Sequence, residues 1–261
     1  MHNTSLFWEV MKMLDKATLD ILSELKLDEL GNILRRQDSV PEYISMPFDQ
    51  RLQFAIADLY SLQADALYKR LVSNARMKHP NATFQGIEYV PERNLDRIKL
   101  TQLSTGDFLA HAGNILVYGA TGSGKSFISC CLGNVACRHG KKTLFYRMPD
   151  LIQDFECLET PQQKKRFITR LGRIDLLIID EWLGNKLSES QINFIFEVIE
   201  KRDEQLPTVF SSQFDPKDWY VRLGESTQCE SVLNRILSKK VTIDCGSFNM
   251  RQYYSKKTPL Y

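Results

Sequence analysis

The chain has 261 residues, enough for one large core or two modest ones, and 43% of them are hydrophobic and 25% charged, as in ordinary globular proteins. A formal net charge of +2 excludes polyanion binding through bulk charge, so any affinity for nucleic acid has to come from local basic patches. No stretch reaches the roughly 18 apolar residues of a membrane span, and the start, MHNTSLFWEVMKMLDK, lacks the basic-then-apolar pattern of a secretion signal.

Residues 1 to about 80 read as all-helical. Leu19, Leu22, Leu25, Leu30, Ile33 and Leu34 recur at steps of three and four residues, and so do Leu52, Ala55, Leu59, Leu62, Ala66 and Leu71. The stretch that follows, HPNATFQGIEYVPERNL, carries two prolines and a glycine and reads as a connector. From about residue 96 short apolar strands alternate with helices. NILVYG (114–119) is a strand, followed by a helix over 124–138 that Gly140 stops. TLFYRM (143–148) is the next strand, and PDLIQDFECL the next helix. TPQQKKRFITRLGRI follows as a further helix with Thr160 as N-cap and Pro161 at its first position. DLLIID is a strand, and SESQINFIFEVIEKR a helix opened by a Ser188–Gln191 capping box. TVFSSQ (208–213), two short helices and the strand KKVTIDCG complete the pattern. The alternation predicts an α/β fold, a parallel sheet with helices on both faces. The predicted organisation is a helical N-terminal domain over 1–80, a connector over 81–95 and the α/β domain over 96–261.

GATGSGKS, residues 119–126, matches the phosphate-loop pattern of six spaced positions followed by lysine and serine. Gly119, Gly122 and Gly124 let the backbone N–H groups of 119–126 (with Ala120, Thr121 and Ser123 between them) turn inward around phosphate oxygens. The helix that follows, beginning near Phe127, adds its positive N-terminus. Lys125 reaches the β- and γ-phosphates of ATP and Ser126 offers a hydroxyl to Mg²⁺. DLLIIDE then ends a buried strand in two acids. Ligands of parallel sheets sit at the carboxyl ends of the strands, so Asp180 is expected beside the loop as a second Mg²⁺ holder. Glu181 is expected to polarise the attacking water, a role that hydrolysis needs more than phosphoryl transfer does. Arg235 lies on a predicted helix and Arg251 follows the last strand; spacing alone assigns neither a role.

In order and spacing, GNILVYGATGSGKS, DLLIIDEWL, SSQFDPKDW, SVLNRIL and NMR resemble the IstB-type ATPases, AAA+ helpers of insertion-sequence transposases related to the DnaC helicase loaders and the DnaA initiators. LKLDELGNIL and PFDQRLQFAIADLYSLQADALYKRLVSNARM resemble that family's helical domain, so the likeness covers nearly the whole chain. It implies an AAA+ module with little carboxyl-terminal appendage. Within it, Arg235 would be a finger reaching a neighbouring subunit's ATP, Arg251 a second sensor of the γ-phosphate, and Ser212 or Gln213 the first sensor. The chain departs from the family where Asn234 precedes the finger, where Ser126 stands for a frequent threonine, and where Gln213 is one methylene longer than the usual asparagine.

Two basic runs lack acids: Lys69, Arg70, Arg76 and Lys78 in the first, and Lys164, Lys165, Arg166, Arg170 and Arg173 in the second. Residues 166, 170 and 173 share one helical face. The second run falls in the helix inserted after the second strand, which in the related group faces the pore of a helical assembly and meets DNA. With Phe167 the one interleaved aromatic, phosphate contacts are the expected mode. The expected function is an ATPase that assembles on duplex DNA with ATP and presents it to a transposase. A helicase loader gripping single strands is the alternative. The six cysteines show no metal spacing and are read as reduced, mostly buried thiols of a cytoplasmic protein.

Overall fold

The computed structural model describes residues 14–93, 95–224 and 226–257; the expectations for residues 1–13 lie outside them. The chain divides into two compact units, residues 1–67 and 68–261.

The first unit is helical: α1 (Lys16–Glu24), α2 (Asp28–Gln37), the single turn α3 (Pro41–Ile44) and the long α4 (Phe48–Asn74) as far as Leu67. The leucine spacing over 19–34 is not one helix. Lys26 adopts φ 60°, and the amides of Leu27 and Lys26 donate to the carbonyls of Leu22 and Ser23, a C-terminal cap that ends α1 and lets Asp28 and Glu29 open α2. Ile33, Leu34 and Ala55 form the small core, with Leu14, Leu30 and Leu59 against it, and Arg51 ties α4 to Asp38 at 2.7 Å.

The second unit begins earlier than the sequence suggests, because residues expected in the helical domain and in the connector pack into it. Leu71, Ala75, Met77, Ala82 and Ile87 are buried in its core. The carbonyl of Ala75 accepts the amide of Phe145 at 2.8 Å along the outer edge of the sheet. After α5 (Arg97–Ser104) come β1 (Asn114–Tyr118), α6 (Lys125–Arg138), β2 (Thr143–Arg147), α7 (Met148–Glu156), α8 (Pro161–Gly172), β3 (Leu176–Asp180) and α9 (Glu189–Arg202). The chain continues through β4 (Thr208–Ser212), α10 (Trp219–Leu223), α11 (Thr227–Ser238), β5 (Lys240–Asp244) and α12 (Met250–Lys257). Both capping boxes form, Thr160 with Gln163 and Ser188 with Gln191.

The five strands run parallel in the order β2-β3-β4-β1-β5. Alternate strand residues feed two cores, as a period of two requires. Leu116, Leu144, Leu177, Ile179 and Phe210 face α7 to α11, whereas Ile115, Val117, Phe145, Ile178 and Val209 face α6 and the 71–87 segment. Among the described residues no helix is long and apolar enough to cross a membrane. Cys130, Cys131, Cys137, Cys229 and Cys245 are buried and Cys157 is exposed, all as free thiols.

Candidate functional site

Sheet register brings the chemistry to one edge. Tyr118 pairs with Ser212 and Arg147 with Asp180, so the ends of β1, β2, β3 and β4 lie side by side at their carboxyl termini. A cavity of about 710 Å³ opens there, lined by the phosphate loop, both acids, Gln213, Arg251, Lys78, His79, residues 86–88 and Arg93. That volume suits a nucleotide-sized ligand.

The loop needs its glycines. Gly122 has φ 85° and Gly124 φ 96°, and a Cβ on Gly122 would meet Asn249 Oδ1 at 2.5 Å. Asn249 also caps the final helix by accepting from the amides of Arg251 and Gln252, and the amide of Met250 donates to the carbonyl of Gly122 at 2.9 Å. The last helix therefore rests directly on the loop. Thr121 and Phe127 line the cavity with Gly122, Gly124, Lys125 and Ser126. Ser123 is fully buried, and the amide of Ala120 is spent on the carbonyl of Gly246 at 2.9 Å. Lys125 Nζ donates to the carbonyls of Gly119 and Ala120, both at 2.8 Å, and burial draws its ammonium below the ordinary value.

The hydroxyl of Ser126 donates to Asp180 Oδ2 at 2.7 Å, and Asp180 is 2% exposed. Glu181 does not share that environment. It sits at φ 59° on a turn whose Leu183 is also left-handed, at φ 54°. Such backbone costs on the order of 1–2 kcal/mol per residue and has to be held in place. The amide of Leu183 donates to Met148 Sδ, the hydroxyl of Ser212 donates to the carbonyl of Trp182, and Arg222 donates to the carbonyls of Leu183 and Gly184. The turn aims the Glu181 carboxylate at Arg147, which holds it through both arms and keeps its pKa below the usual carboxylate range.

The two first-sensor candidates separate. Ser212 is fully buried and spends its hydroxyl on Trp182, whereas Gln213 lines the cavity and its Oε1 accepts from Thr121 at 3.2 Å. Arg251 lines the cavity. Arg235 lies apart from it on α11. There it faces Asp203 at 3.5 Å and Glu200 at 3.8 Å, hydrogen-bonds to Ser231 and lies over the Phe196 ring.

Of the basic runs, Lys69, Arg70, Arg76 and Lys78 are all exposed, and Lys78 also lines the nucleotide-sized cavity beside His79. On α8, Lys165, Arg166, Arg170 and Arg173 are exposed, whereas Lys164 is half-buried over the Phe155 ring. Sequence reasoning passed over Arg147, Arg222, Asn249 and Arg93. Arg147 was signalled only by its place at the end of the strand preceding the acids; the others carry no signal that a single sequence reveals.

The family model described as IstB-like ATP binding protein matches residues 20–257. A Pseudomonas fluorescens protein named as an ATP-binding protein of insertion sequence IS1162 is 30% identical over 77% of this chain and 87% of its own. A Sinorhizobium fredii protein named as insertion sequence ATP-binding protein y4pL is 26% identical over 94% of this chain and 100% of its own. Among solved structures, DnaI superposes with a TM-score of 0.56 at 19% identity over 69% of this chain and 98% of its own. AMPPCP-bound DnaA from Aquifex aeolicus does so with a TM-score of 0.54 at 16% identity over 70% of this chain and 56% of its own. At these identities the structural likenesses establish the AAA+ fold alone. Together with the phosphate loop and its acids, the match over residues 20–257 makes this chain a member of the IstB-like ATP-binding protein family.

Proposed function

We propose that the protein is a DNA-binding ATPase that assembles with ATP on duplex DNA and presents that DNA to a transposase. The observation that carries the ATPase part is the Ser126–Asp180 contact with Glu181 as the next residue, at the mouth of a nucleotide-sized cavity. The transposition part draws on the family and on relatives named for insertion sequences.

The motif implies Mg²⁺, and the donors fit it: a hydroxyl and a carboxylate, both hard oxygen ligands, already adjacent at 2.7 Å. Bound there, the ion supplies charge neutralisation on the β- and γ-phosphate oxygens. The protein's own residues do the rest. Backbone amides of the loop and the start of α6 hold the phosphates. Lys125 leaves the carbonyls of Gly119 and Ala120 and turns to phosphate oxygens. Glu181 leaves Arg147, orients a water and accepts its proton as the water oxygen attacks the γ-phosphorus and ADP departs. Gln213 and Arg251 report the γ-phosphate from the cavity wall. Arg235 crosses to the ATP of a neighbouring copy, which makes turnover depend on assembly and is worth about 10³–10⁵ in rate. The exposed cations of α8 and Arg76 contact DNA phosphates without reading sequence.

The test is binding of labelled duplex, and of single strand of the same length, with and without ATP at two salt concentrations. ATP-dependent, cooperative, salt-sensitive binding to duplex is expected. Preference for single strand, or no binding until a replicative helicase is added, would replace this reading with a helicase loader.

A further inference from the structure

Arg93 lies in the segment that the sequence reads as a plain connector, yet it is 4% exposed and lines the nucleotide-sized cavity. Its Nη1 donates to the carbonyl of Glu88 and its Nη2 to the carbonyl of Ser123 in the phosphate loop, both at 2.9 Å. The guanidinium lies so close to the loop that a Cβ on Gly124 would meet Nη2 at 2.9 Å. Its Nε is buried without a hydrogen-bond partner, and among the described residues Arg93 makes no ion pair. The neighbouring Glu88 carboxylate is taken by Lys257 at 3.0 Å.

Among the described residues one other arginine, Arg202, is as deeply buried, and it shows what a purely structural role looks like here. Arg202 fills its fork: Nε donates to Thr208, Nη1 to the carbonyls of Leu171 and Ile174, and Nη2 to the carbonyl of Pro207. It lines no cavity described above. Arg93 is held by two carbonyls, leaves its Nε–H without a partner, lines the cavity as Arg202 does not, and feels the Glu88 carboxylate only at longer range, without an ion pair among the described residues. An arginine does not escape such a position by deprotonating, so the missing partner is an anion.

We propose that Arg93 is a further nucleotide-binding residue, a guanidinium clamped to the phosphate loop whose charge is met by the phosphates of bound ATP or ADP. This rests on the reading of the cavity as a nucleotide site. Arg93 then makes the site prefer a polyphosphate over a bare nucleoside, and it links the 86–93 segment to the loop that cradles the phosphates.

The experiment is competition of ADP, ATP and adenosine against a fluorescent ADP analogue in wild type, Arg93→Gln and Arg93→Lys, with unfolding temperature of the free protein as the control for folding. Arg93→Gln is expected to weaken ADP and ATP by about tenfold or more while adenosine is unchanged, because a charge-assisted contact is lost. Arg93→Lys keeps the charge and is expected to retain most of the preference for ADP over adenosine. Equal losses for ADP and adenosine in both variants would reduce Arg93 to a brace for the loop, and unchanged affinities would remove it from the site; either overturns the proposal. If Arg93→Gln does not fold, a loss of the ADP preference in folded Arg93→Lys overturns it equally. A wild-type protein that fails to bind ADP would instead defeat the nucleotide reading itself.

Discussion

Arg147 grips Glu181 through both arms of its guanidinium, Nε to Oε1 at 3.1 Å and Nη2 to Oε2 at 2.9 Å, while its third nitrogen faces Asp150 at 3.5 Å. The grip follows from the sheet: Arg147 ends β2 opposite Asp180, and the left-handed Glu181 turns back towards it. The grip turns the Glu181 carboxylate towards Arg147 and occupies one lone pair on each of its oxygens, so in the free protomer the arginine competes with any water for it. Both side chains remain close to half exposed, so the pair is weak and a modest event can break it.

Arg147→Ala is therefore expected to raise the turnover of unassembled protein, by at most about fivefold, the ratio that about 1 kcal/mol of a surface pair permits. It also alters the pH profile. Arg147, with help from Lys78, holds the Glu181 pKa below its ordinary value. The carboxylate thus stays ionised as pH falls below the usual glutamate range, and the pair's stabilising contribution is lost only as pH drops through that lowered value. In the variant the acidic limb of kcat/KM, which reports the free protein, moves to higher pH. Steady-state kinetics from pH 4 to 8 checks both; an unmoved limb would take Glu181 out of the proton-accepting role.

Arg202→Met should cost about 3–5 kcal/mol of stability, because removing the guanidinium strands the carbonyls of Leu171, Ile174 and Pro207 together with the Thr208 hydroxyl. Urea unfolding is expected to show a lower midpoint with an unchanged slope. Nucleotide affinity should not move, since none of these groups lines the cavity.

The strands, the capping boxes and the phosphate loop were legible because each is set by local pattern: apolar runs bounded by turns, a cap residue three before its partner, glycines at fixed offsets. What escaped the sequence depends on distant pairing. The 71–87 segment looked like a helix tail and a linker because its burial comes from β2 and α6, not from its own periodicity. Lys78 read as part of a basic run because nothing local reveals that the chain turns at Arg76, at φ 56°, and takes the next residues to the cavity. Ser212 and Gln213 were indistinguishable as adjacent letters, yet strand alternation gives them different environments, one wired to Trp182 and the other to Thr121.

Arg235 offers a test of assembly. In the free chain it is occupied by Asp203, Glu200 and Ser231 of its own subunit. Arg235→Ala alone and Lys125→Ala alone are each expected to lose ATP turnover. Mixed, they should regain a fraction of it, because an intact loop in one subunit can meet an intact arginine from the other. Recovery peaking near equal mixing is the expected result, and Arg235→Ala turning over ATP normally would remove the finger from the scheme.

The two basic runs, far apart in the chain, come to the same strand, β2. Arg170 Nη2 lies 3.4 Å from the hydroxyl of Tyr146, which itself donates to Asp154 Oδ2 at 2.8 Å, and burial and that carboxylate raise its pKa. The edge-strand bond from Phe145 to Ala75 is what brings Arg76 there. Exposed Arg76 and Arg170 thus both flank β2, whereas Lys78, also exposed, lines the cavity. Replacing Arg76 and Arg170 together by alanine should weaken duplex binding evenly across sequences and reduce the slope of log affinity against log salt by about 2, with ATP affinity intact. Lys78→Ala should do the reverse, weakening ATP binding and leaving the salt slope nearly unchanged. Anisotropy titrations over a salt series separate the two outcomes, and a salt slope unaffected by the double replacement would move the DNA surface elsewhere on the molecule.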